Sequence, residues 1–110
     1  RVVLVSTCAL HEMDNFDVLR KYMDALSKNA DFNLVGALLR PHANVLVGFN
    51  LKIEDILQAA NDAGQQFVRD GTIADKTSAV VGRDLLPRDA YIEVCNSYIE
   101  GERRRHAGSA

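Results

Sequence analysis

The sequence predicts an α/β fold in which buried parallel strands alternate with amphipathic helices. Two short apolar runs lack the polar alternation of a half-exposed strand, which is typical of strands covered on both faces of a parallel sheet. A helical pattern lies between them, and its length suits a right-handed parallel crossover. Further helical patterns follow the second run, so the predicted order is strand, helix, strand, helix, helix.

Both predicted strands lie in the first half of the chain. The β-branched run over 2–7 predicts one strand, and the run over 33–40, which stops before a proline, predicts the other. Apolar residues at spacings of three and four predict a helix over 15–29, which Asp14 or Asn15 can cap. The expected buried face of this helix is Phe16, Leu19, Met23, Leu26 and Ala30.

The second half of the chain is predicted to be helical. A helix is expected over 51–70, capped by Asn50 and ended by Gly71, and a short helix near 76–81. A last helix is expected over 87–105, with a proline at its first position. The expected buried face of the 51–70 helix is Ile53, Ile56, Leu57, Ala60, Gly64 and Phe67. The expected buried face of the last helix is Tyr91, Val94, Cys95, Tyr98 and Ile99.

Composition limits the classes of function. The chain has 110 residues, of which 47% are hydrophobic and 25% charged, as in one globular domain. A net charge of −2 argues against a nucleic-acid-binding protein, which needs a basic face. The longest apolar run, 34–39, is too short to span a bilayer, and no secretory signal pattern is present. Two cysteines, Cys8 and Cys95, are too few for a disulfide framework and are expected to be free thiols in a reducing cytoplasm.

The predicted sheet is incomplete. A two-stranded parallel sheet has two open edges, whereas buried parallel strands normally belong to larger sheets with both faces covered. The sequence also begins inside the first predicted strand, without an initiator methionine. We therefore expect further strands from an upstream segment or from another copy in a homo-oligomer, and we expect an isolated monomer to be poorly stable.

Local motifs along nearly the whole chain resemble one family. The segments 5–17 and 35–41 resemble the fourth and fifth strand regions of the flavodoxin-like NAD(P)H-dependent FMN reductases, a group that includes the iron–sulfur flavoproteins. The closing motifs that resemble the same family are Ile56-Leu-x-Ala-Ala60, Ala63-Gly64, and Leu86-Pro-Arg-Asp-Ala-Tyr91 with Asn96 and Tyr98. The resemblance implies that residues 1–110 form the C-terminal half of a flavodoxin-like domain.

The resemblance implies an oxidoreductase that binds FMN and takes a hydride from NADH or NADPH. The cofactor-binding residues that it implies are Ser6, Thr7, Cys8, Ala9 and Leu10, in the loop after the first strand. Backbone N–H groups of Thr7, Cys8 and Ala9 would donate to the flavin ring, at the strand ends where open α/β sheets bind ligands. The family often has glycine where this chain has Ala9, and its phosphate-binding loop and iron–sulfur cysteines have no counterpart in this sequence. The chain by itself is therefore expected to be inactive.

The alternative to an enzyme is a binding or structural module. In that interpretation a half-fold assembles as a homo-oligomer without redox activity. The loop after the first strand would then be a solvent-exposed turn. The apolar loop 45–49 would form an oligomer contact or pack on the last helix, rather than cover a flavin.

Three groups of reactive or charged side chains have more than one interpretation. Cys8 is either a reactive thiol near a helix N-terminus or a small packing residue. The basic run 103–105 either binds an anionic partner or forms a solvated helix end. His11-Glu12 is half of a zinc motif, but His42 and His106 lie far away along the chain, so no metal site is predicted.

Overall fold

A computed structural model describes residues 1–108, which form a mixed α/β unit with a two-stranded parallel sheet and four α-helices. The strands are β1, Val2–Thr7, and β2, Leu34–Arg40. The helices are α1, Asp17–Ala30; α2, Glu54–Asp70; α3, Asp75–Val81; and α4, Arg88–Gly108. Two short 3₁₀ turns, Met13–Phe16 and Ala43–Val45, follow the strand ends. No helix in this described part is long and apolar enough to cross a bilayer.

The two strands pair in parallel, with Val3 opposite Gly36 and Ser6 opposite Leu39. The predicted strand and crossover order is thereby confirmed. The glycine in β2 has a packing role, because a Cβ atom there would lie 3.0 Å from Cδ1 of Ile73. The connection between α2 and α3 therefore packs directly on β2.

The segments that follow the two strands are also joined, beyond the end of the sheet. Cys8 N–H donates to the carbonyl of Arg40 at 3.1 Å, and Ala43 N–H donates to the carbonyl of Cys8 at 2.9 Å. His42 N–H donates to the carbonyl of Leu10 at 2.7 Å. Since parallel strands end at the same edge of a sheet, these bonds fix two loops side by side there.

Two helices begin later than predicted, because their expected caps make other interactions. The side chain of Asn15 donates to the carbonyl of Glu12 at 2.8 Å within the first 3₁₀ turn, and α1 begins only at Asp17. Asn50 lies in the left-handed region with φ 52°, and α2 begins at Glu54 without a side-chain cap. The predicted C-terminal glycine is confirmed: Gly71 has φ 72° and its N–H donates to the carbonyl of Phe67.

The buried face of α2 differs from the predicted one. Ile56, Ala59 and Ala63 are buried, whereas Leu57 is 61% exposed. Ala60 and Gly64, also predicted to be buried, are exposed. The polar side chain of Gln66 also lies on the inner side of α2, where its amide donates to Thr77 Oγ1 at 2.9 Å and its carbonyl accepts from Ala74 N–H at 3.0 Å.

One side of the sheet and of α1 is uncovered in the described chain. Val5 in β1 is 68% exposed, so the expected burial of both faces of this strand is wrong for the single chain. On α1, Val18 is 79% and Tyr22 is 62% exposed, and no residue of this helix is fully buried. Of its predicted inner face, Leu19 and Met23 are half-buried, whereas Leu26 and Ala30 are exposed.

The molecule has more surface than a compact chain of its size. Its accessible surface is 7660 Å², against about 6,000 Å² expected from surface scaling. Its radius of gyration is 17.3 Å, against about 13 Å for a compact domain. One cause is α4, on which Tyr91 is buried but Tyr98 and Ile99 are 68% and 48% exposed. The predicted inner face of α4 is therefore covered in its first half only.

Candidate functional site

Polar side chains are buried where the two strands end. His11 follows β1, while Arg40 and His42 lie at the end of β2, and they are 9%, 4% and 0% exposed. The first turn of α4 closes this region with Tyr91, which is 6% exposed. We call these four residues the polar junction. Buried polar side chains need hydrogen-bond partners, so the partners of each one define what the site can do.

Arg40 links the sheet to the end of α3. Its Nε donates to the carbonyl of Pro41, the next residue in the chain, at 2.8 Å. Nη1 donates to the carbonyl of Val81 at 2.8 Å and Nη2 to that of Arg83 at 2.6 Å. Carbonyls at a helix C-terminus lack partners within the helix and carry partial negative charge, so a guanidinium is a suitable partner for them. Burial lowers the pKa of this guanidinium from its usual value, with Arg83 a smaller cause.

His42 has a buried ring with a defined protonation pattern. Its Nε2 accepts a hydrogen bond from Leu85 N–H at 2.9 Å, so Nε2 holds the lone pair and Nδ1 carries the proton of the neutral ring. Nδ1 has no hydrogen-bond partner among residues 1–108. Burial lowers the pKa of His42, and the nearby Arg40 guanidinium and His11 lower it further. The backbone of His42 is left-handed, with φ 38°, which is uncommon for a residue with a Cβ atom.

His11 and Tyr91 pack against His42. The rings of His11 and His42 are stacked with centroids 4.5 Å apart, and the Tyr91 ring lies 5.7 Å from each of them. His11 Nε2 donates to the carbonyl of Leu86 at 2.9 Å. The Tyr91 hydroxyl hydrogen-bonds to the carbonyl of Ala9 and lies 3.1 Å from Oδ1 of Asn44. Burial, with the Cys95 thiol nearby, raises the pKa of this hydroxyl.

A cavity of about 520 Å³ adjoins the polar junction. Its walls are mostly apolar and include three aromatic rings. The lining residues are Ala9, Leu10, Asn44, Phe49, Tyr91, Val94, Cys95, Tyr98 and Ile99. Apolar concave sites with a few polar groups are typical of small-molecule binding. Two of the five residues implied by the resemblance, Ala9 and Leu10, thus lie in the wall of a cavity.

The backbone donors expected in the loop after β1 are only partly available. Cys8 N–H is bound to Arg40, so this group is not free for a ligand, contrary to the expectation. Leu10 N–H donates to Sγ of Cys8 at 3.2 Å. Ala9 N–H makes no hydrogen bond within the described residues and is the donor that remains beside the cavity. Ser6 and Thr7 end β1, and neither lines the cavity.

The tertiary structure brings together His11 and His42, which lie far apart along the chain. Ligand atoms of His11, His42 and Asp84 lie within 4.8 Å of one another, the geometry of a possible metal site. The hydrogen bonds do not fit a metal, however, because Leu85 N–H occupies the lone pair of His42 Nε2 and Nδ1 carries a proton. The guanidinium of Arg40, 3.5 Å from the same Nε2, adds a repulsive positive charge.

The separation of these two histidines along the sequence did not indicate that they are neighbours, although one observation did. His11 comes shortly after the first predicted strand and His42 directly follows the second. The carboxyl ends of parallel strands meet at one edge of a sheet, so the two side chains had to emerge near each other. Distance along the chain was therefore the wrong criterion for judging whether the two histidines lie close together.

The remaining candidates lie outside the junction. Cys8 and Cys95 are free thiols, as expected. In the basic run, Arg105 pairs with Glu102 at 2.6 Å and Arg104 lies 4.0 Å from Glu100, all on an exposed helix end. The residues of the apolar loop 45–49 differ in exposure. Val45 is buried in the core and is only 1% exposed.

The other residues of that loop lie at the surface. Val47 is 83% exposed, and Phe49 reaches the cavity beside α4. The loop therefore both packs on the body of the chain and forms part of the cavity wall.

Comparison with protein-family models, with curated protein sequences and with solved structures finds no match to this chain.

Proposed function

We propose that the chain is the ring-binding portion of a flavodoxin-like, NAD(P)H-dependent FMN reductase located in the cytoplasm. The observation that carries the proposal is the cavity beside Ala9 and Leu10, at the carboxyl edge of a parallel sheet. Ligands of open α/β sheets bind at this edge. The motif resemblance implied a flavin ring beside the same loop.

The residues present suit the ring of a flavin better than its phosphate. Phe49, Tyr91 and Tyr98 offer aromatic surfaces to a planar heterocycle, and Ala9 N–H is a donor for a ring heteroatom. Asn44, in the same wall, supplies a further polar group. No glycine-rich phosphate loop is present in this sequence, so the phosphate would bind elsewhere in the intact protein.

Within this proposal the polar junction has a positioning role. A bound flavin would accept a hydride from the nicotinamide and pass electrons to an acceptor. Tyr91 holds the carbonyl of Ala9, and His42 N–H holds that of Leu10, so both wall residues are fixed before a ligand enters. Fixing a binding loop in this way reduces the ordering cost of binding.

The first test is a titration of the chain with FMN and with riboflavin, in which binding is measured by the change in flavin fluorescence. If the chain binds only the ring, FMN and riboflavin will bind with similar affinity, because the phosphate makes no contact. Tyr98→Ala removes an exposed aromatic wall and should weaken both affinities about two- to tenfold. Tyr22→Ala is the matched control, since Tyr22 is 62% exposed on α1 and lies outside the cavity. Absence of binding by either flavin, or equal effects of the two substitutions, would contradict the proposal.

A second candidate is a half-fold that forms a homo-oligomer without redox activity. The open edge of β1 and the exposed Val5 support it, because an uncovered strand edge is a template for pairing with another chain. The flavin titration separates the two candidates. An oligomer that binds neither flavin would favour the second.

A further inference from the structure

We propose that residues 82–87, which join α3 to α4, form a pH-sensitive strap that is closed over the polar junction while His42 is neutral and opens when His42 is protonated. We call this segment the strap. The inference goes beyond the proposed flavin function, because it needs no ligand and no further chain. It rests on the hydrogen bonds by which the junction holds the strap.

Three side chains of the polar junction hold the strap by its backbone. Two of them, Arg40 and His11, donate to carbonyl oxygens of the strap at 2.6 and 2.9 Å. The third, His42, accepts the N–H of Leu85 at 2.9 Å through Nε2. Leu85 and Leu86 are half-buried in this position. The strap is therefore attached to the body of the chain mainly by polar contacts with buried side chains.

Of these three attachments, only that of His42 requires a neutral side chain. A guanidinium stays protonated, and Nε2 of His11 remains a donor whether or not its ring is charged. Protonation of His42 places a hydrogen atom on Nε2, so the ring and Leu85 N–H become two donors that face each other. The guanidinium of Arg40, 3.5 Å from the same nitrogen, repels the charged ring as well.

The charged and titratable groups around His42 come from four segments. Arg40 lies at the end of β2, and His11 stacks on His42 from the loop after β1, with centroids 4.5 Å apart. The Tyr91 ring of α4 lies 5.7 Å away, and a carboxylate oxygen of Asp84 in the strap lies within 4.8 Å. Burial, Arg40 and His11 lower the pKa of His42, and the negative charge of Asp84 opposes them.

The closed position offers a charged His42 ring few acceptors. Nδ1 has no hydrogen-bond partner among residues 1–108, so protonation at Nε2 would leave both ring nitrogens as donors without a bond there. Opening of the strap exposes the ring to water, which accepts from both nitrogens. The left-handed backbone of His42, with φ 38°, is a strained conformation of the kind found at switch regions. Acid therefore favours the open strap.

Contacts on either side confine the opening to the strap. At its beginning, Arg40 also holds the carbonyl of Val81, in the last turn of α3. At its end, Arg88 of α4 pairs with Glu12 at 2.7 Å, and this arginine lowers the pKa of the Glu12 carboxyl, so the pair persists as the pH falls to about 5. Both helices therefore stay attached while the segment between them opens.

Hydrogen exchange of the full chain, followed by NMR at about pH 7 and about pH 5, tests the strap. After correction for the intrinsic pH dependence of exchange, the Leu85 amide should lose protection about ten- to twentyfold in acid, because the open strap binds a proton at His42 more readily than the closed one. The loss should be the same in low concentrations of urea, since a local opening exposes little surface.

Two variants assign the effect to one ring. His42→Gln places a carbonyl oxygen, which does not titrate, near the position of Nε2, so Leu85 should keep its protection in acid. His106→Gln is the matched control, because the His106 side chain is 81% exposed on the end of α4, and it should lose protection as the wild type does.

Three results would overturn the proposal. The first is equal protection of the Leu85 amide at the two pH values. The second is a loss that grows with urea, which would assign it to global unfolding. The third is a loss of the same size in folded His42→Gln, which would assign it to another group. The first two need only the wild-type chain, so the test holds even if the variant does not fold.

Discussion

The polar junction and the uncovered side of β1 and α1 show opposite relations between residue type and environment. In the junction, a guanidinium and two imidazoles are buried and each makes hydrogen bonds inside the chain, although His42 Nδ1 has no partner among the described residues. On the other side, valines and a tyrosine face solvent. The comparison teaches that the described chain provides partners for most of the buried polar atoms of the junction, whereas it leaves apolar side chains of β1 and α1 uncovered.

The difference has a physical reason. Hydrogen bonds of the junction join segments that are already neighbours through the parallel strands and the start of α4. Apolar burial at Val5 or Val18 requires further elements beside the sheet edge, and the described residues do not supply them there. Stability of the isolated chain should therefore depend on the junction far more than on the uncovered side.

The largest expected effect is the loss of Arg40. Arg40→Met should reduce the free energy of unfolding by about 3–5 kcal/mol, because it leaves buried carbonyls without donors. Arg69→Met is the matched control, since the side chain of Arg69 is 68% exposed and pairs with adjacent Asp70. Chemical denaturation of both variants measures the difference. A loss below about 1 kcal/mol for Arg40→Met would show that the junction does not stabilise the fold.

A second prediction concerns pH. The folded state lowers the pKa of His42, so the unfolded chain binds a proton at this residue more readily than the folded chain. The stability from the neutral ring is fully present above about pH 6.5, the ordinary histidine pKa, and is lost as pH falls through the lowered folded value. Burial is the largest cause of the lowered pKa of His42; Arg40 and His11 lower this pKa further, and Asp84 opposes them.

Denaturation at about pH 8 and about pH 5 should therefore show lower stability in acid. The arginine partners of Glu12, Asp55 and Asp70 lower the pKa of each of these carboxyls, so their contribution to acid destabilisation comes at lower pH than that of His42. His42→Asn tolerates the left-handed backbone and should remove the slope. His106→Asn, on the exposed end of α4, should retain it. An unchanged slope in His42→Asn would assign the effect to another group.

The smallest expected effect comes from a comparison of a buried and an exposed valine. Val45→Ala should cost about 2 kcal/mol of unfolding free energy, since Val45 is 1% exposed. Val18→Ala, at a site 79% exposed, should change it by less than about 0.5 kcal/mol in the monomer. Thermal unfolding of both variants at low protein concentration makes the measurement. A large loss for Val18→Ala would mean that α1 is covered, as in a stable oligomer.

Local pattern was sufficient to predict the elements and their order. The apolar runs gave both strands within one residue at each end, and Gly71 marked the end of α2, because these features depend on neighbours along the chain. Helix starts were less accurate. Asn15 and Asn50 have the residue type of a cap, but the turns that precede the helices direct their backbones elsewhere.

For the candidate site, the sequence indicated the loop after β1 only through a resemblance, and it did not indicate what surrounds that loop. Ala9 and Leu10 of this loop line the cavity, and their contact with a flavin stays a prediction. The hydrogen bond from Cys8 N–H to Arg40 could not be read from either segment separately, since the two residues are more than thirty positions apart.

The sequence by itself determined the α/β class and the order of two parallel strands joined by a helical crossover. These follow from periodicity, which acts over a few residues at a time. Only the tertiary structure decided that His11 stacks on His42, that Arg40 serves the end of α3, and that α2 turns its alanines rather than Leu57 inward. Such pairings depend on which segments meet at the end of the sheet. The local sequence around a residue does not indicate which distant segment will contact it.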